Sequence, residues 1–148
     1  MKNIYLAASV FSVFERENNS LLAKKLEEND YTVFLPQEVS PLKTEDGLNM
    51  HHVYKQCREN IDSTDIVIAI VDGADIDSGV AWELGYAFAK NIPSLCIRTD
   101  IRKSEDKGVN IMIEYGSSKT VYLNKYRSDI EYVIHGILRE LEVMRHGK

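Results

Sequence analysis

Two spacings of hydrophobic residues alternate along the chain. Short apolar runs, typical of buried strands, occupy 3–8, 31–36, 65–71, 93–98 and 120–123. Between them, apolar residues recur three or four positions apart, as they do in amphipathic helices. These segments cover 12–29, 49–63, 77–90 and 128–145, with a helical turn near 108–116. A polar connection at 37–48 is long enough to be a candidate functional loop.

The strongest strand has the sequence DIVIAIV, at 65–71. Its apolar residues are continuous rather than alternating, so we expect cover on both faces, as in a parallel sheet. Strands that alternate with helices along a chain favour a three-layer arrangement. The sequence therefore predicts one α/β domain over 1–148, flavodoxin- or Rossmann-like, with a mostly parallel five-stranded sheet.

The first helix has clear boundary signals. Ser12 and Glu15 fit a capping box at its start. Pro36 is expected to end the strand that follows the helix. Within the helix, Phe14, Leu21, Leu22 and Leu26 recur near helical spacing with charged residues between them.

Composition and charge narrow the class of protein. The 148 residues are 44% hydrophobic and 28% charged, as in an ordinary globular domain. A net charge of -5 and a pI near 5.4 argue against nucleic-acid binding, which usually needs a basic patch. No apolar stretch approaches the roughly 20 residues that span a bilayer, and no signal peptide follows Met1. We expect a cytoplasmic protein with neither a nucleic-acid nor a membrane partner.

Cysteine and histidine positions give no metal-binding pattern. Cys57 and Cys96 lie in a helical and a strand segment, where buried free thiols are favoured over a disulfide or a zinc site. His51 and His52 are adjacent, so on a helix they point in different directions. The sequence predicts no metal and no cofactor.

An acidic segment follows the strongest strand. In open parallel sheets, ligands bind beyond the carboxyl ends of the strands, where Asp72, Asp75 and Asp77 are expected. Asp77 can also cap the next helix by accepting from free amides near Val80. For Asp77 alone the structural cap is the favoured interpretation.

Glu83 is harder to explain as a structural residue. It is the only charged residue between Gly79 and Ala89, and it lies off the predicted core stripe of Ala81, Leu84 and Phe88. A lone carboxylate in apolar surroundings either costs stability or serves chemistry. The pattern alone leaves both possibilities open.

Several segments, in order along the chain, resemble the nucleoside 2-deoxyribosyltransferase family. They are IYLAASVF, FLPQE, DIVIAIVDGADIDSGVAWELGYA, and RTDIR followed by VNIMIE. The core D-x-G-x-x-x-E-L-G-Y-A is the most specific of them. The resemblance implies an enzyme that exchanges the base of 2'-deoxynucleosides through a covalent deoxyribosyl-Glu intermediate.

The resemblance also implies roles for individual residues. Glu83 matches the nucleophile, Asp77 the residue that orients it, and Tyr5 the tyrosine that contacts it. Gln37 matches a contact to the base. Asn110 and Met112 match an element that reaches the sugar from a neighbouring subunit, so a homo-oligomer is implied, a dimer or a hexamer built from dimers. Further candidate substrate contacts are Ser9, Phe11, Asp75, Gly79 and Arg98.

The chain departs from the family pattern at two places. Cys57 occupies the position of an Asp that protonates the leaving base, and a thiol is a poor general acid. Asp62, Asp75 or a water are the alternative donors. The chain also ends in VMRHGK rather than on an aromatic residue, so its contacts to the base are open.

Three functions remain as alternatives. The leading one is deoxyribosyl transfer between deoxynucleosides and free purine or pyrimidine bases. The second is hydrolysis of the N-glycosidic bond of nucleoside 5'-monophosphates, for which the candidate phosphate contacts are Ser9, Ser12, Ser78 and Arg98. Asp77 favours the transferase over this hydrolase. The third is a nucleotide-sensing module without catalysis, against which Glu83 and Asp77 argue.

Overall fold

The computed structural model describes residues 2–103, 108–126 and 128–146. Its strands are β1 (Asn3–Ala7), β2 (Thr32–Phe34), β3 (Leu42–Thr44), β4 (Gly47–Asn49), β5 (Ile66–Ile70), β6 (Ser94–Arg98) and β7 (Lys119–Tyr122). Its helices are α1 (Val13–Glu27), α2 (Met50–Ser63), α3 (Ser78–Ala89), α4 (Ile111–Gly116) and α5 (Ile130–His146).

Five strands form one parallel sheet in the order β2-β1-β5-β6-β7. The predicted three-layer α/β fold with a parallel five-stranded sheet is therefore confirmed. Along β1, Ile4 and Leu6 face one core and Tyr5 and Ala7 face the other, because successive strand residues point to opposite faces. The first core packs against α1 and α5, and the second against α2, α3 and α4.

The strand order reverses beside β1. From β1 the chain crosses to β2 on one side, whereas β5 and the later strands lie on the other. Ligands of open α/β sheets bind at this kind of switch point, beyond the carboxyl ends of the strands. The segments that follow Ala7 and Ile70 are therefore where a site is expected.

The polar connection after β2 contains a hairpin that the sequence did not predict. β3 and β4 pair antiparallel, and the positive φ of 117° at Gly47 suits the turn between them. Nearly all of its residues are exposed. Strands with no buried face carry no alternating hydrophobic pattern, which is why the segment was interpreted as a loop.

Helix α1 begins as predicted, and one of its apolar residues lies outside its buried face. Ser12 Oγ accepts from the Glu15 amide at 3.1 Å, and the Glu15 carboxylate accepts from the Ser12 amide at 2.7 Å, which confirms the capping box. Phe14, which shares the apolar helical spacing, is 81% exposed and lies outside the buried face. The buried face includes Asn19, Leu22 and Leu26, and Phe14 lies roughly 80° around the helix from Leu22.

Within the described residues, no helix is both long enough and apolar enough to cross a membrane.

Candidate active site

A tyrosine of the second core is hydrogen-bonded to a glutamate of α3. The Tyr5 hydroxyl donates to Oε1 of Glu83 at 2.5 Å. Tyr5 is fully buried in β1, and its ring stacks on Phe34 of β2 with 5.3 Å between the ring centroids. The strand and its neighbour thus hold the phenol in one orientation, and the phenol in turn holds the carboxylate.

Burial changes the protonation of this pair. Loss of solvent raises the pKa of Glu83 to about 7, the hydrogen bond from Tyr5 opposes that rise, and the negative charge of Asp77 adds to it. Burial also raises the pKa of Tyr5 far above its ordinary value, and the charge of Glu83 contributes. Tyr5 therefore stays protonated as a donor, while Glu83 changes charge near neutral pH.

Asp77 fixes the start of the helix that carries Glu83. Its carboxylate accepts from the amides of Gly79 at 2.9 Å and Val80 at 3.1 Å, so the predicted cap is confirmed. These amides have no partner inside the helix, and a side-chain oxygen satisfies them. Asp77 is thus an N-cap that also affects Glu83 through its charge.

The core face of α3 differs in part from the predicted one. Val80, Leu84 and Ala87 are buried, as a spacing of four and three requires. Phe88 is 68% exposed, so its place in the core stripe was wrong. The interior-facing stripe turns away from Phe88 because the sheet contacts the side of α3 that carries Val80 and Leu84.

Cys57 of α2 completes the surroundings of the pair. Its thiol interacts with the Tyr5 hydroxyl and with the charge of Glu83, although it lies on a different helix. Burial, followed by the charge of Glu83, raises the pKa of Cys57, and the hydrogen bond with Tyr5 opposes this. The thiol is therefore a neutral group at neutral pH.

Two grooves open near the carboxyl edge of the sheet. A polar groove of about 670 Å³ is lined by residues that include Ser9, Asn19, Asp72, Asp77 and Thr99. An apolar groove of about 790 Å³ separates α3 from α4, and its lining includes Asp75, Leu84, Phe88, Asn110 and Met112. Glu83 is half-buried and is not among the described lining of either groove, but Asp77, whose charge acts on Glu83, lines the polar one.

A family model described as nucleoside 2-deoxyribosyltransferase matches residues 4–113, which is most of the chain. The chain belongs to the nucleoside 2-deoxyribosyltransferase family. The matched region contains Tyr5, Asp77 and Glu83, the residues that the fold brings together. No curated protein matches the chain significantly.

Solved structures agree with this family. The 2-deoxyribosyltransferase of Bacillus psychrosaccharolyticus is 27% identical, with a TM-score of 0.71 over 89% of this chain and 90% of that one. A conserved protein from Enterococcus faecalis shares the fold at 24% identity and a TM-score of 0.72, over 95% and 99% of the two chains. The CMP N-glycosidase of Clostridium botulinum shares it at 16% identity and a TM-score of 0.62, over 92% and 98%.

The side-chain amide of Gln37 is hydrogen-bonded to helix α1 in this deoxyribosyltransferase family member. Its side-chain nitrogen donates to the Arg16 carbonyl at 3.0 Å and to the Ser20 hydroxyl at 2.9 Å. Its oxygen accepts from Asn19 at 3.1 Å. These bonds tie Gln37 to α1, and its contact to the base stays a prediction.

The guanidinium of Arg98 is also hydrogen-bonded within the protein. It is 1% exposed and donates to the backbone carbonyls of Val71, Gly73 and Arg102. A phosphate would have to displace these carbonyls from a buried guanidinium. The geometry therefore argues against the predicted phosphate contact.

Of the remaining predicted contacts, Ser9 lies in the described lining of a groove, and Phe11 and Gly79 do not. Ser9 lines the polar groove, and its carbonyl accepts from Asn19 at 2.9 Å. Phe11 is largely exposed in the loop between β1 and α1. Gly79 lies in the first turn of α3, where an added Cβ would come within 3.0 Å of the Asp77 carboxylate.

Asn110 and Met112 belong to α4 and its cap. The Asn110 side chain accepts from the Met112 amide at 3.0 Å, and Met112 is largely exposed. Ile111 and Tyr115 are exposed beside Met112. Helix α4 therefore presents an apolar surface next to the apolar groove.

Two residues of the edge were missed as structural partners. Asp72 accepts from the amides of Thr99 at 2.6 Å and Asp100 at 2.9 Å, which ties the end of β5 to the end of β6. Asn19 is buried and links Ser9 to Gln37. A signal for Asn19 existed in the sequence, since a polar residue with helical spacing from Leu22 and Leu26 lies on a core face.

Proposed function

We propose that the protein is a nucleoside 2-deoxyribosyltransferase that exchanges the base of 2'-deoxynucleosides, with Glu83 as nucleophile. The observation that carries this proposal is the half-buried Glu83 carboxylate held at 2.5 Å by the Tyr5 hydroxyl. Membership of the deoxyribosyltransferase family supports it. A buried, oriented carboxylate is the group that traps an oxocarbenium-like carbon.

In the first step, one oxygen of Glu83 attacks C1' of the deoxynucleoside. A C–O bond forms as the N-glycosidic bond breaks, and its electron pair leaves with the base nitrogen, which is protonated. The charge that develops on the sugar is positive, so an ionised Glu83 stabilises it. Because the pKa of Glu83 is about 7, a substantial fraction is ionised at neutral pH.

In the second step, a nitrogen of the acceptor base attacks the same carbon. The C–O bond breaks, its electrons return to Glu83, and the acceptor base gives up its proton. Water at that position would give hydrolysis, so exclusion of water favours transfer. The burial that raises the pKa of Glu83 is the same property that limits water.

Two candidate donors of the proton to the leaving base, Cys57 and Asp62, are poorly suited to that role. The neutral Cys57 thiol is a weak acid whose pKa is raised further. Asp62 binds Lys90 and Tyr86, and these bonds lower its pKa, so it is ionised at neutral pH. Asp75 lines the apolar groove, so we assign the proton to a water beside the leaving base.

The polar groove favours a nucleoside over its 5'-monophosphate. Five carboxylates contribute to its lining, from Glu15, Asp72, Asp77, Asp100 and Asp129, against two cations, Arg102 and Lys125. The excess of negative charge repels a phosphate dianion, and the guanidinium of Arg98 is engaged by backbone carbonyls. The neutral 5'-hydroxyl of a deoxynucleoside meets no such repulsion and can donate to a carboxylate.

A second copy of the chain is proposed to complete each site. The exposed residues Ile111, Met112 and Tyr115 of α4 form an apolar surface, which is common at protein interfaces. The family resemblance gives Asn110 and Met112 a role in a neighbour's pocket. A two-fold dimer, alone or within a hexamer, provides such a contact twice.

The test is chromatography of the products formed from deoxynucleosides with and without a free acceptor base. We expect a new deoxynucleoside only when the acceptor is present, and its absence in Glu83→Ala. Release of free base and deoxyribose alone would assign hydrolysis instead. No turnover of any deoxynucleoside or deoxynucleotide would leave the sensing module as the better function.

A further inference from the structure

The buried guanidinium of Arg98 lies between two loops at the carboxyl edge of the sheet. One loop runs from Val71 to Asp77 and leads into α3, and the other, called the 99–103 loop, is the described beginning of the connection between β6 and α4. Nη1 of Arg98 donates to the carbonyls of Val71 at 2.6 Å and Gly73 at 2.8 Å. Nη2 donates to the carbonyl of Arg102 at 2.9 Å. One side chain therefore holds both loops.

These carbonyls lie where the sheet ends. The Val71 amide still donates to Ile97 at 2.9 Å, but β5 itself ends at Ile70. Buried carbonyls beyond the end of a strand need another donor. Arg98, the last residue of β6, supplies donors to Val71 and Gly73.

Side-chain carboxylates add bonds between the same loops. The Asp72 carboxylate accepts from the amides of Thr99 and Asp100, and the Asp100 carboxylate accepts from the Gly73 amide at 3.1 Å. Asp100 also lies 3.9 Å from Nη2 of Arg98. Each loop thus gives a carboxylate to the amides of the other.

The conformation of the first loop is narrowly defined. Gly73 has a φ of 106°, and a Cβ there would lie 2.7 Å from the Asp75 carbonyl oxygen. The chain must therefore turn at Gly73 in a way that other residues resist. A loop fixed at Val71 and Gly73 determines where Asp77 starts α3, and the charge of Asp77 acts on Glu83.

We infer that Arg98 is a positioning residue, which clamps the 71–77 and 99–103 loops and thereby sets the positions of Asp77 and Glu83. This inference rests on the proposed function of Glu83 for its effect on turnover. A buried ion pair is weak evidence for stability by itself, since apolar side chains can often replace it. Orientation of the two loops is a task that an apolar side chain cannot perform.

The test compares Arg98→Lys and Arg98→Met with Arg139→Met, which removes an exposed arginine paired with Glu140 on α5. An ammonium group cannot hold three carbonyls in the planar arrangement of a guanidinium. We expect the kcat of base exchange to fall at least tenfold in Arg98→Met, less in Arg98→Lys, and less than twofold in Arg139→Met. Asp100→Asn, which leaves the guanidinium in place, is expected to reproduce part of the loss.

A second measurement separates positioning from stability and from the proposed function. The pKa of Glu83, followed by carboxyl ¹³C NMR, needs no turnover. Tyr5, Cys57 and Asp77 are the titratable groups that act on it. When the 71–77 loop is released, we expect water to reach Glu83 and Asp77 to move away from it. The pKa of Glu83 should therefore fall from about 7 toward its ordinary value in the Arg98 variants and in Asp100→Asn.

The outcomes decide between the two roles. Folded variants with a lowered Glu83 pKa support the clamp, even if the wild type exchanges no bases and the proposed function fails. Should Arg98→Met not fold, Arg98→Lys and Asp100→Asn carry the same comparison. Variants that lose only thermal stability, with an unchanged Glu83 pKa and unchanged kcat per folded molecule, overturn the inference.

Discussion

The hydroxyl of Tyr5 lies 2.5 Å from a carboxylate oxygen of Glu83, although 78 positions separate the two residues. Tyr5 belongs to the central part of the sheet and Glu83 to a helix that packs on it. The bond joins a fixed donor to a carboxylate whose pKa burial has raised. The first two predictions follow from it.

Tyr5→Phe removes the hydroxyl and keeps the ring that stacks on Phe34. Because the hydrogen bond lowers the pKa of Glu83, we expect that pKa to rise above about 7 and the pH profile of kcat/KM to move to higher pH. Hydrogen bonds to charged groups contribute about 1.5 to 3 kcal/mol, so kcat at neutral pH should fall roughly 10- to 100-fold. Tyr86→Phe, which loses a surface bond to Asp62, is the control and should stay within about twofold. An unchanged pH profile in Tyr5→Phe would contradict the assignment.

Glu83→Gln changes how stability depends on pH. The folded-state pKa of about 7 exceeds the ordinary value of 4.5, so the native state binds a proton that the unfolded state has lost between these values. Stability from this group is fully present below about pH 4.5 and is lost as pH rises through about 7. Urea unfolding at pH 4.5 and pH 8 should therefore show the wild type losing on the order of 2 kcal/mol relative to Glu83→Gln. Parallel pH curves for the two proteins would show that Glu83 is not desolvated.

Cys57→Asp introduces a carboxylic acid beside Tyr5 and Glu83. In the family pattern, this position carries the Asp that protonates the leaving base. A positioned general acid contributes about 10²- to 10⁴-fold, and we expect at least a tenfold gain in base exchange at its optimal pH. The added charge should also raise the pKa of Glu83 and move that optimum upward. Cys57→Ser is the matched control without an acid. Equal rates in the Asp and Ser variants across the pH range would mean that base protonation does not limit turnover.

Deoxynucleosides should be better substrates than their 5'-monophosphates. Carboxylates outnumber cations in the lining of the polar groove and disfavour a phosphate, so we expect kcat/KM to be at least tenfold higher for the nucleoside. The measurement is a paired comparison with the same base at fixed ionic strength. A preference for the monophosphate would transfer the assignment to the hydrolase.

Mixing two inactive variants tests whether neighbouring chains share a site. Glu83→Ala lacks the nucleophile and Asn110→Ala lacks the contact proposed to come from a neighbour. If that contact crosses the interface, subunit exchange produces some sites with both intact residues, and activity returns to about a quarter of the wild type for a random dimer. Unmixed variants, treated identically, are the controls. Full wild-type activity in a monomer measured by sedimentation would refute the shared site.

Local signals in the sequence determined the order of the elements and several of their ends. The continuous apolar run of β5 requires cover on both faces, which indicated a parallel sheet. The caps of α1 and α3 were predictable because Ser12 and Asp77 bind amides only two or three residues away. The D-x-G-x-x-x-E core identified Asp77 and Glu83 by resemblance to the family that the comparisons support.

Only the tertiary structure decided which candidate site side chains are hydrogen-bonded within the protein. The bonds of Gln37 to α1 and of Arg98 to Val71 and Gly73 join residues about 17 to 27 positions apart, and neither has a local pattern. The exposure of Phe14 and Phe88 depends on how far the sheet and the neighbouring helices extend over α1 and α3. Hydrophobic spacing reveals that a helix has an apolar face, but burial and charge depend on the groups that other parts of the chain bring against it. For the same reason, the raised pKa of Glu83 follows from the burial of its carboxylate by other parts of the chain and not from the local sequence.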